Sequence, residues 1–303
     1  MSDAPDPGFP AAWRERLRQR AGAALRDRVA GPDAARRAAV IWGTPGERWF
    51  APGDPVWRVH EDAAMFAGGI AALLLQSLHP LAMAGVAQHS GYRGDPWGRL
   101  QRTSGYIAST TFGTVEHARR SIDVVRSVHT RVRGTDARGR AYRADDPVLL
   151  GWVHTAEAWC FLQAFQAFGP RRLTAPEADT YVQQAGRSAA YLGVVDPPRT
   201  VAELEDSLTA YRPALEVTDE ARDAARFLLL QPPLPVLSRP GYWTLAAGGV
   251  AVLPPWARPM LGLTLPAGVE RAVLTPVGRA GTAAVRWAMR STQSARVVAG
   301  PVH

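Results

Sequence analysis

The stretch AAMFAGGIAALLLQSLHPLAMAGVAQH, residues 63–89, carries no acidic residue and no arginine. Its apolar residues recur at helical spacing on both sides of the dipeptide His79-Pro80. Because proline disfavours the α conformation in the residue before it, we predict a break or kink at His79. Gly68 and Gly69 weaken a helix relative to alanine, so they indicate a close approach, either of another helix or of a flat ligand.

Outside this stretch, helix-start and helix-stop residues divide the chain. Asp95-Pro96, Thr114 and Asp146-Pro147 have the composition of N-caps. Gly113 and Gly169 are natural stops. We predict helices over about 13–28, 63–78, 96–111, 115–133, 148–168, 177–192, 201–212 and 218–230. No strand-like alternation is convincing, so the predicted fold is all-α, a single multi-helix globular domain.

The predicted organisation has three parts. Residues 1–55 form a helical leader and a loop, 56–275 the main domain with a Pro-rich helical tail, and 276–303 a C-terminal helix or tail. Within the tail, Gly241–Leu253 is uncharged but too short to span a bilayer. We interpret it as a hairpin in the core.

Composition excludes several classes of protein. The 303 residues carry a net charge of +8, and all 35 basic residues are arginine, without a single lysine. These arginines are scattered, whereas nucleic-acid binders concentrate them, so no nucleic-acid partner is expected. Cys160 is the only cysteine, which excludes an intramolecular disulfide. With no signal peptide and no spanning segment predicted, we expect a cytoplasmic protein, and peripheral membrane contact stays open.

Three ionisable residues fall on apolar helix faces. His129 is one of them, and either a packed core histidine or a metal or haem ligand fits that position. His154 and Glu157 share the apolar face of a later helix, where unpaired burial would be costly. They must therefore pair, meet another polar group or line a cavity. For His129, the apolar residues that share its helix face at helical spacing are Ile122, Val125, Val128 and Val132.

A third helix face with polar residues lies between residues 96 and 111. Arg99, Arg102 and Thr103 share it with Tyr106. If the face points inward, it suits an anion such as a carboxylate; if outward, it is a solvated surface. Together with the buried-looking histidines, including His79, it favours a buried cofactor or metal pocket enclosed by the fold. No nucleotide-binding, nucleophile-elbow or zinc-protease motif is present in the sequence.

Five motifs, in order, resemble the catalytic domain shared by the MpaB-type oxygenases and the rubber oxygenases (latex clearing proteins). The resemblance covers about residues 50–270. The motifs are RVHEDAAMFAGGIAALLLQSLHPLAMAGVAQHS (Arg58–Ser90), GDPWGRLQRT (Gly94–Thr103), VRSVHTRVRG (Val125–Gly134), DPVLLGWVHTAEAW (Asp146–Trp159) and LPPWARPMLGL (Leu253–Leu263).

The resemblance implies an all-α oxygenase that binds haem b and uses O2 on a hydrophobic, unsaturated small molecule. The family's Arg-x-x-x-Thr pair lies on Arg99 and Thr103 beside the haem, and its proximal histidine matches His129. The rubber oxygenases carry a lysine just before the motif threonine, where this chain has Arg102. Arginine does not give up its proton to ligate iron, so the MpaB-like branch is favoured. The catalytic glutamate of the rubber oxygenases has no secure match here.

These implications assign roles as hypotheses. His129 would be the proximal haem ligand, and Arg99, with Arg102, would pair with a propionate. Thr103 would hydrogen-bond at the haem edge. His79 or His154 would act on the distal side, His89 would line the pocket, and Glu157 would orient His154.

Two alternatives stay open. One is a non-haem metal oxidoreductase in which two or three of the histidines at positions 79, 89, 129 and 154 hold iron. The other is a non-catalytic helical module that binds lipid or a partner protein. The sequence does not specify an oligomeric state.

Overall fold

The computed structural model describes residues 8–31, 33–91, 93–264, 266 and 268–298, and it describes side chains from residue 13 to residue 289 within them. The start of the predicted leader and the end of the predicted C-terminal tail lie outside these ranges. The described residues form fourteen α-helices and one short hairpin, which confirms the all-α prediction. The helices are α1 (Gly8–Ala30), α2 (Ala34–Gly43), α3 (Pro55–Glu61), α4 (Ala64–Gln76), α5 (Pro80–His89), α6 (Pro96–Phe112), α7 (Val115–His129), α8 (Pro147–Phe168), α9 (Ala175–Leu192), α10 (Val201–Tyr211), α11 (Asp219–Leu230), α12 (Arg239–Val252), α13 (Ala257–Met260) and α14 (Thr275–Val298).

The predicted caps start the helices around the site. The Asp95 carboxylate accepts from the Gly98 amide at 2.8 Å, and the Asp146 carboxylate accepts from the Val148 amide at 2.8 Å. Thr114 caps α7 in the same way. Each cap satisfies an amide that the first helical turn leaves without a partner, which fixes where α6, α7 and α8 begin.

The predicted break at His79 is present. α4 and α5 meet there at 109°, and His79 has an extended backbone conformation with Pro80 as the first residue of α5. The bend lets two successive apolar helices cover different parts of the core. Among the described helices, none alone has the length and apolar composition to cross a membrane, although α4 and α5 together would reach that threshold.

The centre of the fold is α8, whose side chains are buried over most of its length against α4. Gly68 explains the close approach of these helices, because a Cβ there would lie 3.0 Å from the Phe161 ring and 3.1 Å from the Ala164 Cβ. The close neighbour that was predicted for the glycine pair, another helix or a flat ligand, is therefore another helix in the case of Gly68. A Cβ on Gly69, by contrast, would meet no atom within 4 Å.

The prediction of a core hairpin over Gly241–Leu253 is wrong. The segment belongs to the single helix α12, which packs between α4 and α14. Its glycines serve that packing rather than a turn, since a Cβ on Gly248 would lie 3.0 Å from the Gly278 Cα and one on Gly249 would lie 3.0 Å from the Ala67 carbonyl oxygen. Glycine in a helix interior therefore marks close packing in this chain.

The prediction that the helix after Thr114 runs to Arg133 is also wrong. α7 ends at His129, and the antiparallel pair β1 (Arg133–Thr135) and β2 (Ala141–Arg143) follows, with Gly134 opposite Tyr142. The Asp136 carboxylate closes the turn by accepting from the backbone amides of residues 138 and 140, at 3.0 and 2.8 Å. Strands this short give too little alternation to be detected in the sequence.

Candidate functional site

The helices α6 and α8 make little backbone contact with each other, and α3 packs on both of them. α9 likewise packs on α7 and on α8. We call the region enclosed by these helices the central gap. Tyr106 on α6 and Glu157 on α8 both lie in it, since the carboxylate charge adds to burial in raising the pKa of the tyrosine. Both side chains are half-buried although they lie inside the fold, as expected for residues that border an internal space.

Glu157 is the most perturbed acid of the site. Its carboxylate forms no hydrogen bond or ion pair with a described residue, and its oxygens are not among the fully enclosed polar atoms. Burial raises its pKa to about 7, because little polar protein or bulk water stabilises the charge. Together with burial, its negative charge raises the pKa values of Cys160 and Tyr181. Near neutral pH this carboxyl group can therefore hold or release a proton.

His154 lies one turn before Glu157 on the same helix. Its Nε2 atom is enclosed by protein and has no hydrogen-bond partner, and burial lowers its pKa to about 4, so the ring is neutral at pH 7. No described hydrogen bond joins His154 to Glu157, so the predicted orienting contact between them is not present in this structure. Two polar groups without partners on one buried helix face are an exception in folded proteins.

A histidine that sequence reasoning missed lies on α3, between α6, α8 and α9. His60 on α3 places its Nδ1 atom 2.8 Å from the Thr111 hydroxyl, and its ring lies edge-on to Phe161 and Tyr181. Its Nε2 atom is enclosed without a partner, and burial lowers its pKa to about 4. The apolar neighbours of His60, Val59 above all, were the signal available in the sequence, since they put it on a buried helix turn.

His129, the last residue of α7, is half-buried. Its Nδ1 atom is enclosed without a partner, whereas its Nε2 atom is neither hydrogen-bonded to a described residue nor enclosed. Burial lowers its pKa, opposed by the negative charge of Asp145 just before α8. The ring is therefore neutral at pH 7, the form that coordinates a metal. Of its predicted stripe, Ile122 is buried, but Val128 is 45% exposed, so the apolar stripe was predicted too wide.

His79 lies buried at the bend between α4 and α5. Its Nδ1 atom has no partner, and its ring centroid lies 6.3 Å from that of Trp152 on α8. Burial lowers its pKa, and the positive charge of Arg140 on the β-hairpin adds to that shift. The structure places His79 between α8 and the hairpin, and no described hydrogen bond links its ring to another predicted site residue.

The polar face of α6 divides into two halves. Arg102 and Thr103 are exposed, and Arg102 forms an exposed ion pair with Asp95 at 3.3 Å. Arg99 is half-buried and donates from Nη1 to the Ser90 hydroxyl at 3.2 Å. The open question of an inward or an outward face thus has a mixed answer, because Arg99 is half-buried, whereas Arg102 and Thr103 are exposed.

His89 is exposed at the end of α5. Its Nε2 atom lies 3.1 Å from the Tyr142 hydroxyl of the β-hairpin, and that hydroxyl donates to the Gln88 side-chain oxygen at 2.7 Å. This contact ties α5 to the hairpin at the surface. Among the described residues, no group of three His, Cys, Asp or Glu side chains comes together as a metal site, so the three-histidine form of the non-haem alternative has no ligand set among them.

Comparison with known families identifies a domain over most of the chain. The family model described as "ER-bound oxygenase mpaB/B'/Rubber oxygenase, catalytic domain" matches residues 57–287. The match spans α4 to α8, with every predicted site residue, and continues into α14. Comparison with curated proteins and with solved structures gave no match. Since the family model covers most of the chain, the protein belongs to the mpaB and rubber oxygenase catalytic-domain family.

Proposed function

We propose that this protein is a haem b-dependent oxygenase that acts with O2 on a hydrophobic, unsaturated small molecule. The proposal rests on the family and on one observation, the central gap, which is bordered by neutral histidines and an acid without partners. Buried polar atoms without partners are rare in proteins, and a bound group that contacts them is the simplest explanation for several in one place.

His129 has the properties of a proximal haem ligand. It is neutral at pH 7, its Nε2 atom is open, and it ends a helix that packs on α6. Arg99, half-buried on α6, is the better placed of the two predicted arginines to meet a haem propionate, since Arg102 is exposed and paired with Asp95. Thr103, exposed one turn after Arg99, would hydrogen-bond at the haem edge.

Bound haem b would supply the redox chemistry with O2. The chain's own residues would then control protons and access. Glu157, with a pKa of about 7, would hold or release a proton at its carboxyl oxygens. His154 and Tyr106 border the same space, and the apolar residues around them would exclude water and accept a hydrophobic substrate. His79 stays a candidate for the distal side through its enclosed ring.

The visible spectrum of the purified protein tests this proposal. Protein from haem-supplemented cells should show a Soret band, and His129→Ala should lose most of it or shift it markedly. His89→Ala is the comparison, because His89 is exposed and its ring contacts Tyr142 of the surface hairpin, so its Soret band should equal that of the wild type; a changed band would show that His89 lines the pocket. A wild-type protein without a Soret band, or an unchanged band in His129→Ala, would refute the assignment.

The reaction itself is tested by O2 uptake. Squalene, an unsaturated hydrocarbon, should stimulate uptake by the haem-loaded protein, and squalane, its saturated counterpart of the same shape, should not. Equal uptake with both would contradict action on an unsaturated bond. No uptake with either, in a protein that has a normal Soret band, would favour the non-catalytic binding module.

A further inference from the structure

Four large apolar side chains project from one corner of the molecule, where α11 meets α12. Leu237 is 96% exposed, Val236 71%, Leu230 67% and Trp243 45%. They lie within 14 residues of chain, at the end of α11, in the connecting 3₁₀ turn and in the first turns of α12. We call these four residues the apolar corner. A group of exposed apolar residues on one turn marks a contact surface more often than scattered single ones do.

The apolar corner is held in place by polar contacts below it. The Tyr242 hydroxyl donates to the Leu228 carbonyl oxygen at 2.7 Å and joins α12 to the end of α11. The Arg239 Nε atom donates to the Leu234 carbonyl oxygen at 3.2 Å, and the Ser238 amide donates to the Pro235 carbonyl oxygen at 2.9 Å. These contacts keep the turn folded, so its apolar side chains point away from the core although burying them would be favourable.

The segment that forms the apolar corner carries little charge. From Phe227 to Trp256 the sequence contains no acidic residue and one basic residue, Arg239. Arg226, exposed further back on α11, lies beside the acidic residues Asp219, Glu220 and Asp223 of the same helix, so its charge is offset there. The chain as a whole carries +8. The segment itself can therefore approach negatively charged headgroups without repulsion, and Arg239 can pair with a lipid phosphate.

We propose that the apolar corner docks the protein onto the surface of an anionic lipid bilayer. Leucine and valine side chains would enter the hydrocarbon boundary, and Trp243 would lie at the headgroup level, where its amphipathic ring is favoured. This contact is independent of the proposed haem chemistry. It would also bring the protein to the phase in which hydrophobic, unsaturated molecules dissolve.

Vesicle sedimentation of the full-length protein tests the docking. Wild-type protein should bind phosphatidylcholine vesicles that contain about 30% phosphatidylserine more strongly than vesicles of phosphatidylcholine alone. The double variant V236D/L237D should lower the partition coefficient at least about tenfold, because two charged side chains would replace the inserted apolar ones. V195D is the matched control, since Val195 is 70% exposed but stands apart from the apolar corner, and it should bind as the wild type does.

Two outcomes would overturn the proposal. The wild type does not bind vesicles, or V236D/L237D binds them as strongly as the wild type does. If the wild type does not bind vesicles and the double variant has half its molecular mass in solution, the apolar corner is instead a contact between two copies of the chain. Circular dichroism checks that the variants are folded. If V236D/L237D does not fold, L230S/L237S replaces it, with the same expected loss of binding.

Discussion

Asp62 and Arg286 form a two-pronged ion pair between residues 224 positions apart in the sequence. The Arg286 Nε atom donates to Oδ2 at 2.8 Å and Nη2 donates to Oδ1 at 2.7 Å, with the Asp62 side chain 9% exposed. The same Nη2 donates to the Phe168 carbonyl oxygen at the end of α8. One guanidinium thus joins α14 to the start of α4 and to the end of α8.

We predict that Arg286→Ala lowers the free energy of unfolding by about 3–5 kcal/mol, because it leaves the buried Asp62 carboxylate with only the Ala64 amide as donor and removes the donor to the Phe168 carbonyl oxygen. Urea unfolding followed by circular dichroism measures this. Arg222→Ala is the control, because its ion pair with Asp219 is exposed and should be worth about 1 kcal/mol or less. Equal losses in the two variants would show that the buried pair does not hold α14.

The neighbouring glycines of α4 should respond in opposite directions to alanine. Gly68→Ala places a methyl group against the Phe161 ring and the Cys160 carbonyl oxygen and should destabilise the fold by about 1–3 kcal/mol. Gly69→Ala meets no atom within 4 Å and should stabilise the helix by about 0.5–1 kcal/mol. Thermal unfolding of the two apoproteins separates them. A destabilised Gly69→Ala would mean that Gly69 also lies in a close contact.

The pKa of Glu157 predicts a pH-dependent stability. Its folded-state pKa is raised from 4.5 to about 7, so the folded protein binds a proton more tightly than the unfolded chain does. The wild type should therefore lose stability as the pH rises from about 4.5 to 7, by up to about 3 kcal/mol, and stay constant above that. Glu157→Gln cannot ionise, so its advantage over the wild type should grow between pH 5 and pH 8 in urea unfolding. An advantage that does not change with pH would place the carboxyl group in a well-solvated position.

Arg99 and Arg102 should differ in haem retention. Arg99 is half-buried beside Ser90, whereas Arg102 is exposed and pairs with Asp95. If Arg99 meets a propionate, Arg99→Ala should speed haem transfer to excess apomyoglobin about tenfold or more, and Arg102→Ala should change it little. A larger effect of Arg102→Ala would assign the propionate contact to the exposed half of α6. Both substitutions keep the proximal histidine, so they separate propionate binding from ligation.

Much of the helical structure could be predicted because its signals are local. Asp95, Thr114 and Asp146 start their helices with their own side chains, and Pro80 bends the chain through its ring. The boundaries failed where a distant partner decides them. α7 ends at His129 because the following residues pair with a second strand, and Tyr142 is buried because α5 and α8 cover it.

The candidate site was predictable by residue type but not by contact. The sequence placed His129, His154 and Glu157 on apolar faces, and all three are half-buried with a perturbed pKa. It did not show that Glu157 lies close enough to Tyr106 for its charge to raise the pKa of that tyrosine, nor that His60 contacts Thr111.

The sequence by itself determined the all-α class, the starts of the main helices, the break at His79 and the family of the domain. Only the tertiary structure decided which glycine of α4 is packed and which is open, and which arginine of α6 is half-buried. It also made a single helix of the segment expected to be a hairpin. Helix periodicity predicts the face on which a residue lies. The residues that pack on that face come from distant parts of the chain, as Arg286 does for Asp62, so the sequence pattern does not identify them.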